Sequence, residues 1–305
     1  MKSISILGVF VADLCFIGDK IPSKGQTILG KKHVVGPGGK GSNQAVAAGK
    51  AGADVNFISK IGKDSYGAMA KKIYSETNVK TENLFVAETK STGVAAILLN
   101  KETGDNAISV VPGAAGELTI EDINKAEDTI KNSSFFLTQL ETPLETTIHA
   151  LKIAKRNNVT TILNPAPAAK LDKDIFPLID YFTPNETEAS FYVNKEISNE
   201  NDAKDSSKDL LDLGIKNVVI TLGEKGVYFE NKDENFFVPA LNLEGKVVDT
   251  SGAGDAFNGA FAAALCENKD IKEALVFANT FAGISTTKIG TANSMPTRDE
   301  IDKLI

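Results

Sequence analysis

Apolar positions along the chain switch between two periods, and the switching divides it into alternating elements. Residues 3–9 are an Ile- and Val-rich run closed by Gly8, which predicts a buried strand. Residues 13–35 break into short strand-like pieces at Ile21-Pro22-Ser23-Lys24-Gly25, predicting a small β element outside the main alternation. The Ala-rich stretch 42–51 predicts a helix and 55–61 the strand after it, a first β-α-β unit. A second strand-rich patch, 92–99 and 106–111 around the turn Glu102-Thr103-Gly104-Asp105, is the expected partner of the 13–35 element. Helices at 119–131 and 144–156 then alternate with strands at 134–138 and 160–163. Strands at 218–222, 227–230 and 236–238 follow, with helices at 253–266 and 272–286. This order predicts an α/β fold, a mainly parallel sheet covered by helices on both faces with a small extra β-sheet. No repeat, linker or low-complexity tract interrupts it, so residues 1–305 are expected to form one domain.

Composition removes several function classes. The 33 basic and 40 acidic side chains leave a net charge of −7, and Arg156 and Arg298 are the only arginines, which argues against a nucleic-acid partner. The longest apolar stretch, 256–265, is short and interrupted by Asn258, so no membrane span is expected. The first residues carry one Lys and no long apolar run, which reads as a strand and not a leader; the cytoplasm is the expected compartment. Cys15 and Cys266 share no metal-type spacing with His33 or His149, and both read as buried small hydrophobes. With no Gly-x-Ser-x-Gly elbow either, acid-base work falls to carboxylates.

Two segments carry chemistry. Gly36-Pro37-Gly38-Gly39-Lys40-Gly41-Ser42-Asn43 lies between a strand and a helix, where glycines let backbone N–H groups approach a ligand. It satisfies G-x-G-x-x-G, but it does not follow the first strand, Pro37 sits inside it, and Gly41 follows Lys40. Neither a dinucleotide fingerprint nor a P-loop fits that context. The second, residues 247–259, reads as a strand end running through Asp249-Thr250-Ser251 to a helix start, where the amides of Gly252, Ala253 and Gly254 can converge on an oxyanion. Asp255 follows, placed either to take a proton from an attacking hydroxyl or to complement the helix dipole.

Together these segments resemble the two signatures of the ribokinase-like (PfkB) carbohydrate kinases, the ribokinases in particular. The likeness spans essentially the whole chain. Thr183-Pro184-Asn185-Glu186-Thr187-Glu188 resembles the family's Asn-x-x-Glu element, and Thr221-Leu222-Gly223-Glu224-Lys225-Gly226 its nucleotide loop. The resemblance implies a ribokinase-like three-layer fold with a β-sheet lid built from residues about 13–37 and 92–111. It also implies transfer of the ATP γ-phosphoryl group to a sugar hydroxyl. Ribose is the leading acceptor; deoxyribose, a nucleoside or another sugar are the rivals.

Residue roles follow from the same likeness. Asp255 is the implied base and Gly252, Ala253 and Gly254 the anion hole. Asn185 is implied to hold phosphates and Glu188 to act on Mg²⁺ through water; a helix cap and an exposed acid are the alternatives on the residues alone. Thr221, Gly223, Gly226, Gly254 and Asn279 fall on the nucleotide side. The sugar falls to Val11, Asp13, Gly39, Lys40, Asn43, Glu141 and Asp255. Val11-Ala12-Asp13 departs from the family's usual Asn-x-Asp, and losing that amide costs about 1–3 kcal/mol of polyol recognition. A monovalent cation, K⁺, is implied beside the anion hole at Asp249, Ser251, Ser285, Lys288, Gly290 and Ser294. Two lids are expected to clasp in a homodimer. Two other classes stay open: an NAD(P)-dependent oxidoreductase, and a sugar sensor without turnover, against which the intact Asp255 and Gly-Ala-Gly run argues.

Overall fold

The computed structural model describes residues 2–103, 105–243 and 245–305, so Gly104, in the expected 102–105 turn, lies outside the described residues. In chain order the first half runs β1 (Ser3–Leu7), β2 (Val11–Gly18), β3 (Lys32–Gly38), α1 (Lys40–Lys50), β4 (Asp54–Ile61), α2 (Ser65–Glu76), β5 (Val79–Lys80), β6 (Leu84–Val86), β7 (Thr92–Asn100) and β8 (Asn106–Gly113). Two short helices, α3 (Ile120–Lys125) and α4 (Glu127–Lys131), replace the single one expected at 119–131; Ala126 is the C-cap of the first and the N-cap of the second. Then come β9 (Phe135–Thr138), α5 (Leu144–Arg156), β10 (Thr160–Leu163), β11 (Tyr181–Phe182), α6 (Glu186–Val193), α7 (Glu200–Asp212), β12 (Asn217–Thr221), β13 (Gly226–Asn231) and β14 (Asn235–Pro239). The chain closes with α8 (Ala253–Cys266), α9 (Ile271–Ser285) and α10 (Arg298–Asp302). Residues 247–250 are not the strand end that their sequence suggested: Val247 and Val248 are exposed and the segment is irregular.

The main sheet has the order β14-β13-β12-β11-β10-β9-β1-β4-β5, with β6 beside β4. It is parallel from β12 to β5, and antiparallel only at β12-β13-β14. Side chains alternate along its strands, and so do the cores they enter. Ile4 and Ile6 lie on one face with Leu137, Ile162 and Val219, packed under α1, α8 and α9. Leu7, Phe136, Leu163, Val218 and Ile220 lie on the other, under α5 and α7. A sheet between two helical layers is the three-layer arrangement expected.

Strands β3-β2-β7-β8 make a separate four-stranded sheet, the lid. Its strands leave the body side by side: Val11 lies opposite Gly38 and Gly93, and Thr92 opposite Gly113. Cys15, expected to be buried, is only half-buried on β2, because the lid has no second layer behind it; Cys266 is buried in α8.

β1 pairs with β4 on one side and β9 on the other, so the chain turns away from β1 in both directions and leaves a crevice at the strands' carboxyl ends. Open parallel sheets bind ligands at such a switch point. Gln139 and Glu141 follow β9, Asn164 follows β10, Thr183 and Asn185 follow β11, and Thr221 ends β12, so all reach that rim.

Candidate active site

Helix α1 starts without a side-chain cap of its own, because its N-cap is Gly39. Glu141 supplies the missing acceptor from across the crevice, its Oε2 receiving the Lys40 amide at 2.9 Å. The β3-α1 junction is tight for a second reason. Asp13 lies over the Cα of Gly38 so closely that a Cβ there would sit 2.3 Å from the carboxylate. Any other residue at position 38 would displace the acid.

Helix α8 opens at Gly252, whose φ of 76° suits glycine and turns the irregular segment into the helix. Gly252 and Gly254 line a cleft together with Lys40, Asn185, Glu188, Thr221 and Asp255. The Ala253 N–H instead donates to the Thr250 carbonyl at 3.2 Å, so two of the three expected anion-hole residues face the cleft.

Asp255 is buried on the first turn of α8. Its Oδ2 accepts from Asn43 Nδ2 at 2.9 Å and its Oδ1 from Gln44 Nε2 at 3.0 Å. Burial pushes its carboxyl above the ordinary range, opposed by the Lys40 ammonium and then by the two amides. Burial also lifts Glu141 to about 7, with Lys40 opposing, and Asp13 to about 6, where the charge of Asp255 adds to the rise. Lys40 is held above its usual range, chiefly by Asp255. The Lys40 ammonium thus feels the buried Asp255 together with the half-buried Glu141 and Glu188, and is the electrostatic centre of the cleft.

Asn185 and Glu188 cap α6 reciprocally: Asn185 Oδ1 accepts the Glu188 amide at 2.8 Å and Glu188 Oε2 the Asn185 amide at 2.9 Å. They line the cleft as well, so the cap reading and the ligand reading share the same residues. Burial raises the Glu188 carboxyl. Gly223 and Gly226 bound the β12-β13 turn next to Thr221. Asn279 joins that corner from α9: its Nδ2 donates to the Pro239 carbonyl at 2.7 Å, and Pro239 lies opposite Gly226.

Of the residues expected around a monovalent cation, Asp249 gathers two. Its Oδ1 accepts the Ser251 amide at 2.9 Å and its Oδ2 the Gly290 amide at 2.9 Å. Ser285 ends α9 and Lys288 lies in the turn after it, its ammonium paired to Glu300, and the Ser294 hydroxyl donates to the Thr291 carbonyl. Both Asp249 oxygens are engaged by amides, so an ion here would rest mainly on backbone carbonyls. Val11 does not present a polar group: it is buried in a small apolar cluster with Val9, Ala95 and Ala115.

Sequence reasoning missed the residues that join these parts. Gln44 Nε2 also donates to Asn164 Oδ1 (3.0 Å), and Gln44 Oε1 accepts from Gln139 Nε2 (2.5 Å). Asn164 Nδ2 donates to the Thr183 carbonyl, the Thr183 hydroxyl to Asn258 Oδ1, and Asn258 Nδ2 to the Gly254 carbonyl. Lys40, Asn43 and Gln44 stand at i, i+3 and i+4 in an otherwise Ala-rich helix, and that polar stripe is a sequence signal for this face.

The carbohydrate kinase family model PfkB matches residues 1–298. The ribokinase of Haemophilus influenzae is 39% identical over 98% of this chain and 97% of its own length. The deoxyribokinase of Salmonella typhi is 33% identical over 99% of this chain and 98% of its own. The structure of Arabidopsis thaliana ribokinase complexed with ribose and ATP superposes with a TM-score of 0.90 at 27% identity, covering 100% of this chain and 99% of that one. With that likeness over its full length, and with the acid, the amides and the lysine of the two signatures gathered in one cleft, the chain belongs to the PfkB family of carbohydrate kinases and is an ATP-dependent sugar kinase.

Proposed function

We propose that the protein phosphorylates ribose to ribose 5-phosphate at the expense of ATP, as one kinase domain over residues 1–305 with the lid segments inserted. The observation that carries this is Asp255, a buried carboxylate beside the helix-start residues Gly252 and Gly254 and under the field of Lys40. Asp255 takes the proton of the sugar hydroxyl as its oxygen bonds to the γ-phosphorus; the bond to the β-phosphate oxygen breaks and ADP leaves. The α8 amides and Lys40 stabilise the charge spread over the phosphoryl oxygens. Asp13, Lys40, Asn43 and Glu141, with Gly39 between them, hold the sugar hydroxyls. Asn185, Thr221, Gly223, Gly226 and Asn279 hold the nucleotide. Glu188 would hold Mg²⁺, which would neutralise phosphate charge when bound. The loops that Asp249 ties together, with Ser251, Ser285, Lys288, Gly290 and Ser294, would hold K⁺.

The lid supports two further parts of the reading. Its edge strand β8 exposes Ile108 and Val110 on the face that also exposes Val34 of β3, and Val111 on the opposite face with Phe16 of β2; apolar exposure of this kind suits a homodimer in which two lids clasp. Among the described residues no helix is long and apolar enough to cross a membrane, and the cytoplasm, where ATP is supplied, is the proposed compartment. A second reading, deoxyribose as the preferred acceptor, is favoured by Val11, which offers no hydrogen bond where the family's usual Asn would.

The test is ATP-to-ADP turnover with Mg²⁺ and K⁺ across ribose, deoxyribose, fructose, nucleosides and no sugar, with Asp255→Ala alongside. Ribose-dependent turnover abolished by Asp255→Ala supports the main reading. Turnover on deoxyribose alone replaces the acceptor, and turnover on none of them defeats the proposal.

A further inference from the structure

We infer that Gln44 is a positioning residue for the phosphoryl transfer: its amide fixes the carboxylate of Asp255 in the plane and direction in which it receives the sugar proton. The inference rests on Asp255 being the base.

Gln44 is fully buried. Its three hydrogen bonds leave its amide one orientation. Nε2 donates one hydrogen to Asp255 Oδ1 and the other to Asn164 Oδ1, each at 3.0 Å, while Oε1 accepts from Gln139 Nε2. Turning the amide over would set its oxygen against two acceptors and its NH₂ against a donor. The orientation is therefore set by Gln139 and Asn164, which stand at the carboxyl ends of β9 and β10.

Asp255 is gripped at both oxygens, Oδ1 by Gln44 and Oδ2 by Asn43, two successive residues of one helix. A carboxylate held at both oxygens by donors on one rigid element loses both bonds if it rotates. Each oxygen keeps a second lone pair, and with the amides on the α1 side that pair remains for a hydroxyl in the cleft.

A separate observation places α1 and α8 in close contact here. Gly259, one turn beyond Asp255, lies so close to α1 that a Cβ would be 2.4 Å from the Gln44 carbonyl and 2.6 Å from the Ala47 side chain. The two helices are in backbone contact at the very residue that holds the base. Gln44 thus connects the sheet, through Gln139 and Asn164, to the catalytic turn of α8.

Gln44→Met keeps the length of the side chain and removes its hydrogen bonds; Gln44→Glu keeps shape and an acceptor for Gln139 but sets a second acid against Asp255. Both are measured with Asp255→Ala for kcat and KM with ribose and ATP, for the pH dependence of kcat, and for melting temperature. The expected result for Gln44→Met is kcat lower by about 10- to 100-fold, with both KM values within about threefold, and an acid limb displaced to higher pH because a donor to the charged carboxylate is gone. Gln44→Glu is expected to displace the acid limb further. A melting point that falls while kcat and its pH profile stay at the wild-type values in either folded variant overturns the inference and leaves Gln44 a packing residue. If Asp255→Ala itself retains wild-type kcat, the underlying reading of the base fails, and this one with it.

Discussion

Thr291 Oγ1 donates to the Pro37 carbonyl at 2.9 Å, tying the last turn of lid strand β3 to the loop behind the anion hole. The same hydroxyl interacts with Asp13, and the Thr291 side chain packs on Gly252, 3.3 Å from where a Cβ would stand. One residue therefore touches the lid strand, Asp13 and the start of α8. Thr291→Val keeps the shape and removes the hydroxyl. We expect the KM for ribose to rise by about tenfold with the KM for ATP unchanged, because the hydrogen bond that ties the lid strand to this loop is lost. Steady-state kinetics in both substrates check it; an unaltered ribose KM speaks against the link.

Asp255→Asn retains one oxygen for the two amide donors and cannot take a proton. A fall in kcat of about 10³-fold is expected, in line with the removal of a general base. ATP binding followed by calorimetry should survive, since the nucleotide side does not depend on this carboxylate. Residual turnover above about a tenth of the wild type would transfer the role of base to another group.

Glu141 gives a pH dependence of stability with a definite sign. Its carboxyl is lifted from 4.5 to about 7, so the folded protein binds that proton more tightly than the unfolded chain does. The stability it contributes is complete below about pH 4.5 and is lost as pH rises through about 7. Asp13, lifted to about 6, acts in the same direction. The melting temperature of the ligand-free protein should therefore fall between about pH 5 and pH 8, and fall less in Glu141→Gln, which has no proton to lose. Parallel curves for wild type and variant would refute this assignment.

Val11→Asn restores the amide that the family pattern leads one to expect. It also places a polar group among Val9, Ala95 and Ala115. The ratio of kcat/KM for ribose over deoxyribose should increase by about 5- to 100-fold, the range of one hydrogen bond to a substrate hydroxyl, alongside a lower melting temperature of the ligand-free protein. A constant ratio measured with both sugars would show that position 11 takes no part in choosing the acceptor.

The strongest sequence patterns were read to the residue. Helix α5 shows an uninterrupted amphipathic period, β10 is a short β-branched run, and α8 is a nearly unbroken small-residue helix. Other elements hid for identifiable reasons. Helix α7 buries Ala203, Ser206, Ser207 and Leu210, and two serines on the inner face disguise it as a polar stretch. Strand β11 is only two residues long and follows Asp180, whose carboxylate is engaged by Lys155, Lys216 and Thr161 where an apolar start would be looked for. At the site, the two signatures disclosed Lys40, Asn43 and Asp255 because glycines and a helix start are local features. Gln139 and Asn164 were not legible, each standing alone at a strand end, and Thr183 showed only as the start of the Asn185 element; their partners are brought to them by the order of strands in the sheet. Asn258 was visible, but only as an interruption in an apolar run; its bond to the Gly254 carbonyl exists once the helix has formed.

The lid is attached to the body along a single line, the row Gly38, Val11 and Gly93 with Gly113 beside it. Mechanically that is a plate clamped at one edge, and the stroke of such a plate grows with distance from the clamp. Asp13 is two residues out, about 7 Å along the strand, while Phe16 and Ile108 lie farther along the lever arm. Bending that opens a wide mouth at the tip would therefore barely move Asp13 near the root, so that carboxylate stays in place while the far rim is open.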